Sequence, residues 1–405
     1  MIRLAPHVGI DPRPSAESLY LLLMWNVGSR HDPNGQEGLL HFLEHTLFKG
    51  TRRRRSRQLF AAVERYGGEL NAFTTKDKMA VEMRLPPFAA EVGLRLLAEL
   101  ADEATFPENE VEKEREVILE ELAMYEDIPE ESLLDHFEEQ VFAEGGLRHP
   151  ILGYVASVQA IQAQDLRTAY ARLAHTPWVL LLTGPLSVSQ GDKLLARQGW
   201  LTRAVGSQVW PTQAERPAPP SQRTFERPIQ QIHLVVGGEG PSPYRWEESL
   251  PFFLLMYHLG GGQMTSRFNL LLRELYGWAY TVYGFTHTYP ERTVWGFYAG
   301  LSPEVAEKAR RIIHRELDKP LFQSPSSAQL ARLKRAYLGR QKLAWENPTY
   351  RLSVEARHWL DMGEPFSPQA WEAALWAVEP SHLQAAAEAA FSLRYERAYV
   401  PLKGV

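Results

Sequence analysis

No cysteine occurs in the 405 residues, which excludes disulfide scaffolds, thiolate metal sites and cysteine nucleophiles. Any metal must therefore be held by histidine and carboxylate. Long apolar runs are missing too: the stretch Leu19 to Val27 is far shorter than the roughly 20 residues that span a bilayer. No basic, apolar, small-residue leader opens the chain, so a cytoplasmic location without a membrane partner is the expectation. Excess charge of one sign is also absent, since 44 basic and 49 acidic residues leave a net charge of −5, which argues against nucleic acid as a partner. The run Arg52-Arg53-Arg54-Arg55, with Arg57, reads as a solvated loop and helix start. Neither a Gly-x-Ser-x-Gly elbow nor a phosphate-binding P-loop is present, which removes serine hydrolases and nucleotide enzymes.

What is present is an ordinary globular composition, 44% hydrophobic and 23% charged, in a chain long enough for two cores. Strand-like and helical stretches alternate. Leu19 to Val27 reads as a strand closed by the turn Gly28 to Gly35, and a helix follows from Gly38 to about Lys49. Arg57 to Tyr66 is helical up to Gly67-Gly68. Leu70 to Thr75 and Met79 to Leu85 form a hairpin, the second strand alternating Met79, Val81, Met83 and Leu85 against Ala80, Glu82 and Arg84. Two long helices are expected at Pro87 to Ala104 and Pro107 to Met124. The proline-rich stretch 208–228 reads as a linker between a first domain, 1–207, and a second, 229–405. After it Ile232 to Val236 and Trp246 to Leu259 repeat the strand, turn, helix order of the first half, which points to a duplicated fold.

One segment carries chemistry. In His41-Phe42-Leu43-Glu44-His45 the imidazoles stand four residues apart, about 400° around a helix, so both leave one face a turn apart and can grip one ion. Glu44 lies about 60° from His41 around that axis, placed to take a proton from the hydrolytic water without coordinating the metal. The order is the inverted form of the common zinc-protease motif. A catalytic zinc wants a third protein ligand and one open position. The acidic helix that includes Glu114 and Glu121 offers it, because seven residues return to within about 20° of the same face. Either carboxylate could bind while the other supports; the preferred assignment makes Glu121 the ligand and Glu114 the carboxylate that orients a histidine or the ligand itself.

These residues, together with Gly28-Ser29-Arg30, the run Gly38 to Thr51, Gly67-Gly68-Glu69-Leu70-Asn71-Ala72-Phe73-Thr74 and Glu114 to Glu121, resemble the pitrilysin/insulinase family of zinc peptidases. Within it the likeness is greatest to processing-peptidase catalytic subunits and their bacterial relatives, and it spans nearly the whole chain. In that family the third ligand follows the second histidine by about the distance that separates His45 from Glu121. The resemblance implies an α+β fold of two similar domains, each a mostly antiparallel β-sheet packed with α-helices, forming half of a clamshell. It implies one Zn2+ per chain, a zinc endopeptidase activity on extended or unfolded peptides, and Glu44 as general base. Arg273 and Tyr280, seven residues apart in the second half, would bind the substrate backbone and the tetrahedral oxyanion. Asn71, Ala72 and Phe73 would be the edge strand that pairs with substrate. Because the clamshell has four such domains and this chain has two, a homodimer is expected, with a paired paralogue as the alternative. A catalytically silent assembly subunit of the same fold is the competing function. Two departures stand out: the chain start lacks the family's opening strand pattern, and Trp278 replaces a smaller aliphatic residue.

Overall fold

The start of the chain, expected to lack an opening strand pattern, forms two strands, β1 (Ile2–Ala5) and β2 (Val8–Pro12). Their partners explain why local sequence did not show them. β2 lies parallel to residues 180–184, so its stabilising neighbour is far away in sequence. The computed structural model describes residues 1–212, 214–318 and 325–402. The chain divides into two compact units, each assembled from separate segments: Met1–Ala123, Gly145–Ala214 and Ala344–Phe366 in one, Met124–Glu144, Glu215–Leu343 and Ser367–Val405 in the other. The step from Ala214 to Glu215 falls inside the proline-rich stretch, while residues 124–144 and 344–366 each join the unit built mainly from the other half of the chain.

The first unit adds strands β3 (Leu19–Trp25), β4 (Glu69–Thr74), β5 (Met79–Leu85) and β7 (Trp178–Gly184). Its helices are α1 (Leu39–Thr46), α2 (Ser56–Glu64), α3 (Ala90–Glu103), α4 (Glu108–Asp127, as far as Ala123), α6 (Val155–Ala160), α7 (Ala163–Leu173), α8 (Val188–Arg197) and α12 (Pro348–Met362). The sheet order is β1-β2-β7-β3-β5-β4, antiparallel except for β2 with β7. One face carries the main core, to which Leu21, Leu23, Val81, Met83 and Leu180 contribute beside Leu40, Phe42 and Leu43 of α1. The other face is covered as well: Leu22, Met24, Ala80, Val179 and Leu181 pack with Leu352, Ala356 and Trp359 of α12. This double burial explains why β3 reads as an unbroken apolar run, and why Ala80, on the expected polar face of its strand, is fully buried.

The second unit holds α5 (Pro129–Val141), β6 (Phe142–Glu144), β8 (Arg216–Pro217), β9 (Gln222–Arg227), β10 (Ile232–Gly240), α9 (Trp246–Gly260), β11 (Ala279–Thr288) and β12 (Thr293–Leu301). It continues through α10 (Pro303–Asp318), α11 (Ser327–Ala344, as far as Leu343), α13 (Pro368–Ala377), α14 (Pro380–Phe391) and β13 (Tyr395–Pro401). Its main sheet runs β11-β12-β10-β13-β9, with β13 parallel to β9 and the remaining pairs antiparallel. The same connectivity orders β4-β5-β3-β7-β2 of the first unit, so the duplication hinted at by the sequence is a duplication of topology. By this correspondence β4 and β11 are equivalent edge strands, and α1 and α9 occupy equivalent places in the chain. No helix among the described residues is long and apolar enough to cross a membrane.

The turn joining β4 to β5 is pinned to α12 by charge. The Lys78 ammonium, fully buried, lies 2.8 Å from Asp77 and 2.9 Å from Asp361, and Arg357 donates to the other Asp77 oxygen at 2.8 Å. Burial opposes the ionisation of Asp77, yet Lys78 and Arg357 together hold its carboxyl below the ordinary value. Its contribution to stability is therefore complete above the ordinary carboxylate range and lost as pH falls through the depressed folded value. Two outcomes are expected. Trp359→Ala should cost about 3–5 kcal/mol in denaturant unfolding, the usual loss for an aromatic removed from a core. Asp77→Asn should flatten the dependence of unfolding free energy on pH below about 4.

Candidate metal centre

Helix α1 exists as a short, tightly held element because its first turn is capped from outside. Gly38 enters it at φ 93°, and a Cβ there would sit 2.5 Å from the Leu152 carbonyl oxygen. The Asp32 carboxylate accepts the Gly38 N–H at 2.8 Å and the Leu40 N–H at 3.0 Å, taking up two otherwise orphaned donors. Leu39, Leu40, Phe42 and Leu43 turn into the core. The remaining face presents His41, Glu44 and His45, whose ligand atoms lie within 4.8 Å of one another.

Glu121, from α4, meets both imidazoles: its Oε2 is 3.8 Å from His41 Nε2 and 3.5 Å from His45 Nε2. Glu114, two turns earlier on the same helix, accepts from His45 Nδ1 at 2.9 Å. Its other oxygen is held by Lys49, just past the end of α1. With Nδ1 committed to Glu114, His45 turns Nε2 toward Glu121. Glu44 accepts a hydrogen bond from Thr74 Oγ1 at 3.3 Å. Every one of these side chains belongs to the first unit.

The electrostatics follow from crowding at low solvent exposure. Burial, reinforced by the field of His45, drives His41 down to about 3, so its imidazole is neutral with a free lone pair. Burial also opposes charge on His45, but the Glu114 hydrogen bond and the nearby carboxylates raise it overall. Glu44 is raised by burial, only partly offset by His45 and Thr74. Glu114 is pushed up by burial and brought below its ordinary value by His45 and Lys49. Three carboxylates thus face two imidazoles and one ammonium, a set that a divalent cation would complete. The separations of Glu121 from the two Nε2 atoms are close to the roughly 3.4 Å expected between ligands around a tetrahedral ion with bonds of about 2.0–2.1 Å. The donor set fits zinc.

Asn71, Ala72 and Phe73 lie on β4, at the outer edge of the first unit's sheet and in the same strand as Thr74. In the second unit Arg273 sits on a π-helical segment, Asn269–Leu275, with its guanidinium 5.6 Å from the Tyr280 ring centroid. Tyr280 is 82% exposed and lies where the β11–β12 register slips between Ala279 and Val282. A bulge of this kind re-aims a side chain, and π-helical turns recur at functional sites. Sequence reasoning passed over Asp32, Lys49 and Thr74. Asp32 had a signal, an Asp-Pro pair just before a helix; Lys49 and Thr74 had none, because their partners are distant.

A model described as insulinase (peptidase family M16) matches residues 9–154, and one described as the peptidase M16 inactive domain matches residues 160–337. A protein named as an uncharacterized zinc protease of Streptomyces coelicolor is 28% identical over 385 residues, covering 92% of this chain and 83% of its own. A similarly named protein of Bacillus subtilis is 27% identical over 361 residues, covering 88% and 86%. Among solved structures, a Helicobacter pylori protease superposes with a TM-score of 0.85 at 18% identity, covering 97% of this chain and 96% of its own. A chain of complex III from Candida albicans reaches a TM-score of 0.80 at 15% identity, covering 97% and 93%. With both halves matched by models of one family, the chain belongs to the insulinase family of peptidases, family M16.

Proposed function

We propose that the protein is a zinc endopeptidase that hydrolyses extended or unfolded peptides, with His41, His45 and Glu121 holding one Zn2+. The observation that carries this reading is the convergence of Glu121 Oε2 on both imidazole Nε2 atoms, with Glu44 on the same helical face. The ion would supply a Lewis acid that polarises the scissile carbonyl and acidifies water. Glu44 accepts the proton of the attacking water on a carboxylate oxygen and delivers it to the leaving amine; no covalent intermediate is needed. Thr74 limits the orientations open to that carboxylate. Glu114, neutralised by Lys49, fixes which His45 nitrogen faces the ligand pocket.

The free edge of β4 offers backbone groups to an incoming peptide, so Asn71, Ala72 and Phe73 select for extended conformation more than for sequence. Arg273 and Tyr280 would bind the substrate backbone and its developing oxyanion. We further propose a homodimer that encloses the substrate in a four-domain chamber, each copy's Arg273 and Tyr280 serving the other copy's metal site. The likeness to a complex III chain keeps a silent assembly subunit as the second reading; the intact set of His41, Glu44, His45 and Glu121 favours catalysis.

Three measurements test this. Metal analysis should find one zinc per wild-type chain and per Glu44→Gln chain, and almost none in Glu121→Gln. Hydrolysis of unstructured peptides should fall by about 10²–10⁴-fold in Glu44→Gln, the usual worth of a general base; unchanged turnover would remove Glu44 from the mechanism. Mixing Glu44→Gln with Arg273→Ala subunits should restore activity that neither has alone. No recovery despite demonstrated subunit exchange would rule out completion of one site by the other copy.

A further inference from the structure

The hydrolytic scheme leaves unused the charge cluster in the β4–β5 turn. Lys78, Asp77, Asp361 and Arg357 are two cations and two anions in mutual contact, and a fully buried lysine persists only where its charge is paired in this way. Such clusters add little net stability, and their best-attested use is to fix register. Arg357 and Asp361 stand four residues apart on α12, so one helix face presents both signs to the turn.

The cluster connects to the proposed base through a short series of contacts. Arg357 donates to Asp77 Oδ1 at 2.8 Å, and Thr75 Oγ1 donates to the same oxygen at 3.1 Å. Thr75 also closes the turn, its N–H bonding the Lys78 carbonyl at 2.7 Å and its hydroxyl accepting the Lys78 N–H at 3.0 Å. The Thr75 and Lys76 carbonyls accept from Ser29 and Arg30 N–H groups. Gly28 approaches so closely that a Cβ would lie 2.2 Å from the Thr75 oxygen. The preceding residue, Thr74, is the one side chain among the described residues that hydrogen-bonds Glu44.

We propose that Arg357 and Asp361 are positioning residues for the peptidase reaction: acting through Asp77 and Thr75, they fix where Thr74 presents its hydroxyl, and so set the orientation of the Glu44 carboxylate. A helix encoded some 300 residues after the base thereby becomes part of the catalytic apparatus. This inference rests on the reading of Glu44 as general base.

A double-mutant cycle on kcat separates positioning from mere stabilisation. Thr74→Val should lower kcat about tenfold and Arg357→Met about fivefold, with KM and zinc content unchanged, because neither touches metal or substrate. Since both act along one route, the double variant should be no slower than Thr74→Val alone, and Arg357→Lys should recover most of the loss. Losses that multiply in the double variant would overturn the proposal. Should Arg357→Met fail to fold, Thr75→Val, which removes the hydroxyl's bonds to Asp77 and Lys78 but keeps the Thr75 backbone bond to the Lys78 carbonyl, takes its place in the cycle with the same criterion. Hydrogen exchange supplies a reading independent of activity: Asp361→Asn should speed exchange at the Thr75 and Lys78 amides while leaving α1 protected. Unchanged exchange at the turn would equally refute the idea. A wild-type protein that binds zinc but cleaves no peptide would instead refute the function, leaving the exchange experiment to judge the contact route.

Discussion

Gathering three carboxylates in one poorly solvated pocket is the constraint on which the rest of the site depends. Glu44, Glu114 and Glu121 repel one another, and burial adds to the cost of charging Glu44 and Glu114. Lys49 neutralises one of them through Glu114, His41 is held neutral by burial, and His45, whose proton the carboxylates favour, would give that proton up on binding an ion. What is left is a charge of about −2, which a divalent ion would cancel. The arrangement is poorly suited to a protein whose only task is to pack, and well suited to one that binds a dication and works beside it.

Holding that pocket fixed in shape needs support from behind. The α1 helix has only eight residues, too few for helix propensity to sustain it, so its stability comes from the Asp32 cap and from apolar packing on its buried side. The sheet beneath is apolar on both faces, and α12 covers the face away from α1. The first unit is thus completed by a segment encoded near the end of the chain, much as α5, encoded in the first half, completes the second unit. The units fold from interleaved segments, although the proline-rich stretch between residues 208 and 228 looks like a simple hinge between halves.

Legibility in the sequence followed the range of the interactions. His41, Glu44 and His45 were readable because helical geometry places them on one face, and Glu114 and Glu121 because seven residues return to the same face of α4. The β4–β5 hairpin followed from alternation, which held on the core side; it failed at Ala80, where α12 replaces solvent. β1 and β2 were invisible because β2 is stabilised by a strand far along the chain. The π-helical turn bearing Arg273 and the register slip at Tyr280 have no compositional mark. Trp278, which looked like a departure, stacks on Tyr276 at 4.3 Å between ring centroids.

The sequence by itself determined the ligand types, the spacing that brings two imidazoles to one face, the absence of any thiol and the order of the main strands and helices, since all of these depend on neighbours within a turn or two of chain. Tertiary structure decided which Glu114 oxygen meets His45 and which meets Lys49, that Glu121 reaches both imidazoles, that Thr74 holds Glu44, and that α12 covers the sheet. These contacts join residues from 30 positions apart, as Glu44 and Thr74, to more than 300, as Leu22 and Leu352. Their energy is realised only when the sheet has formed, and no local pattern of residues can encode it.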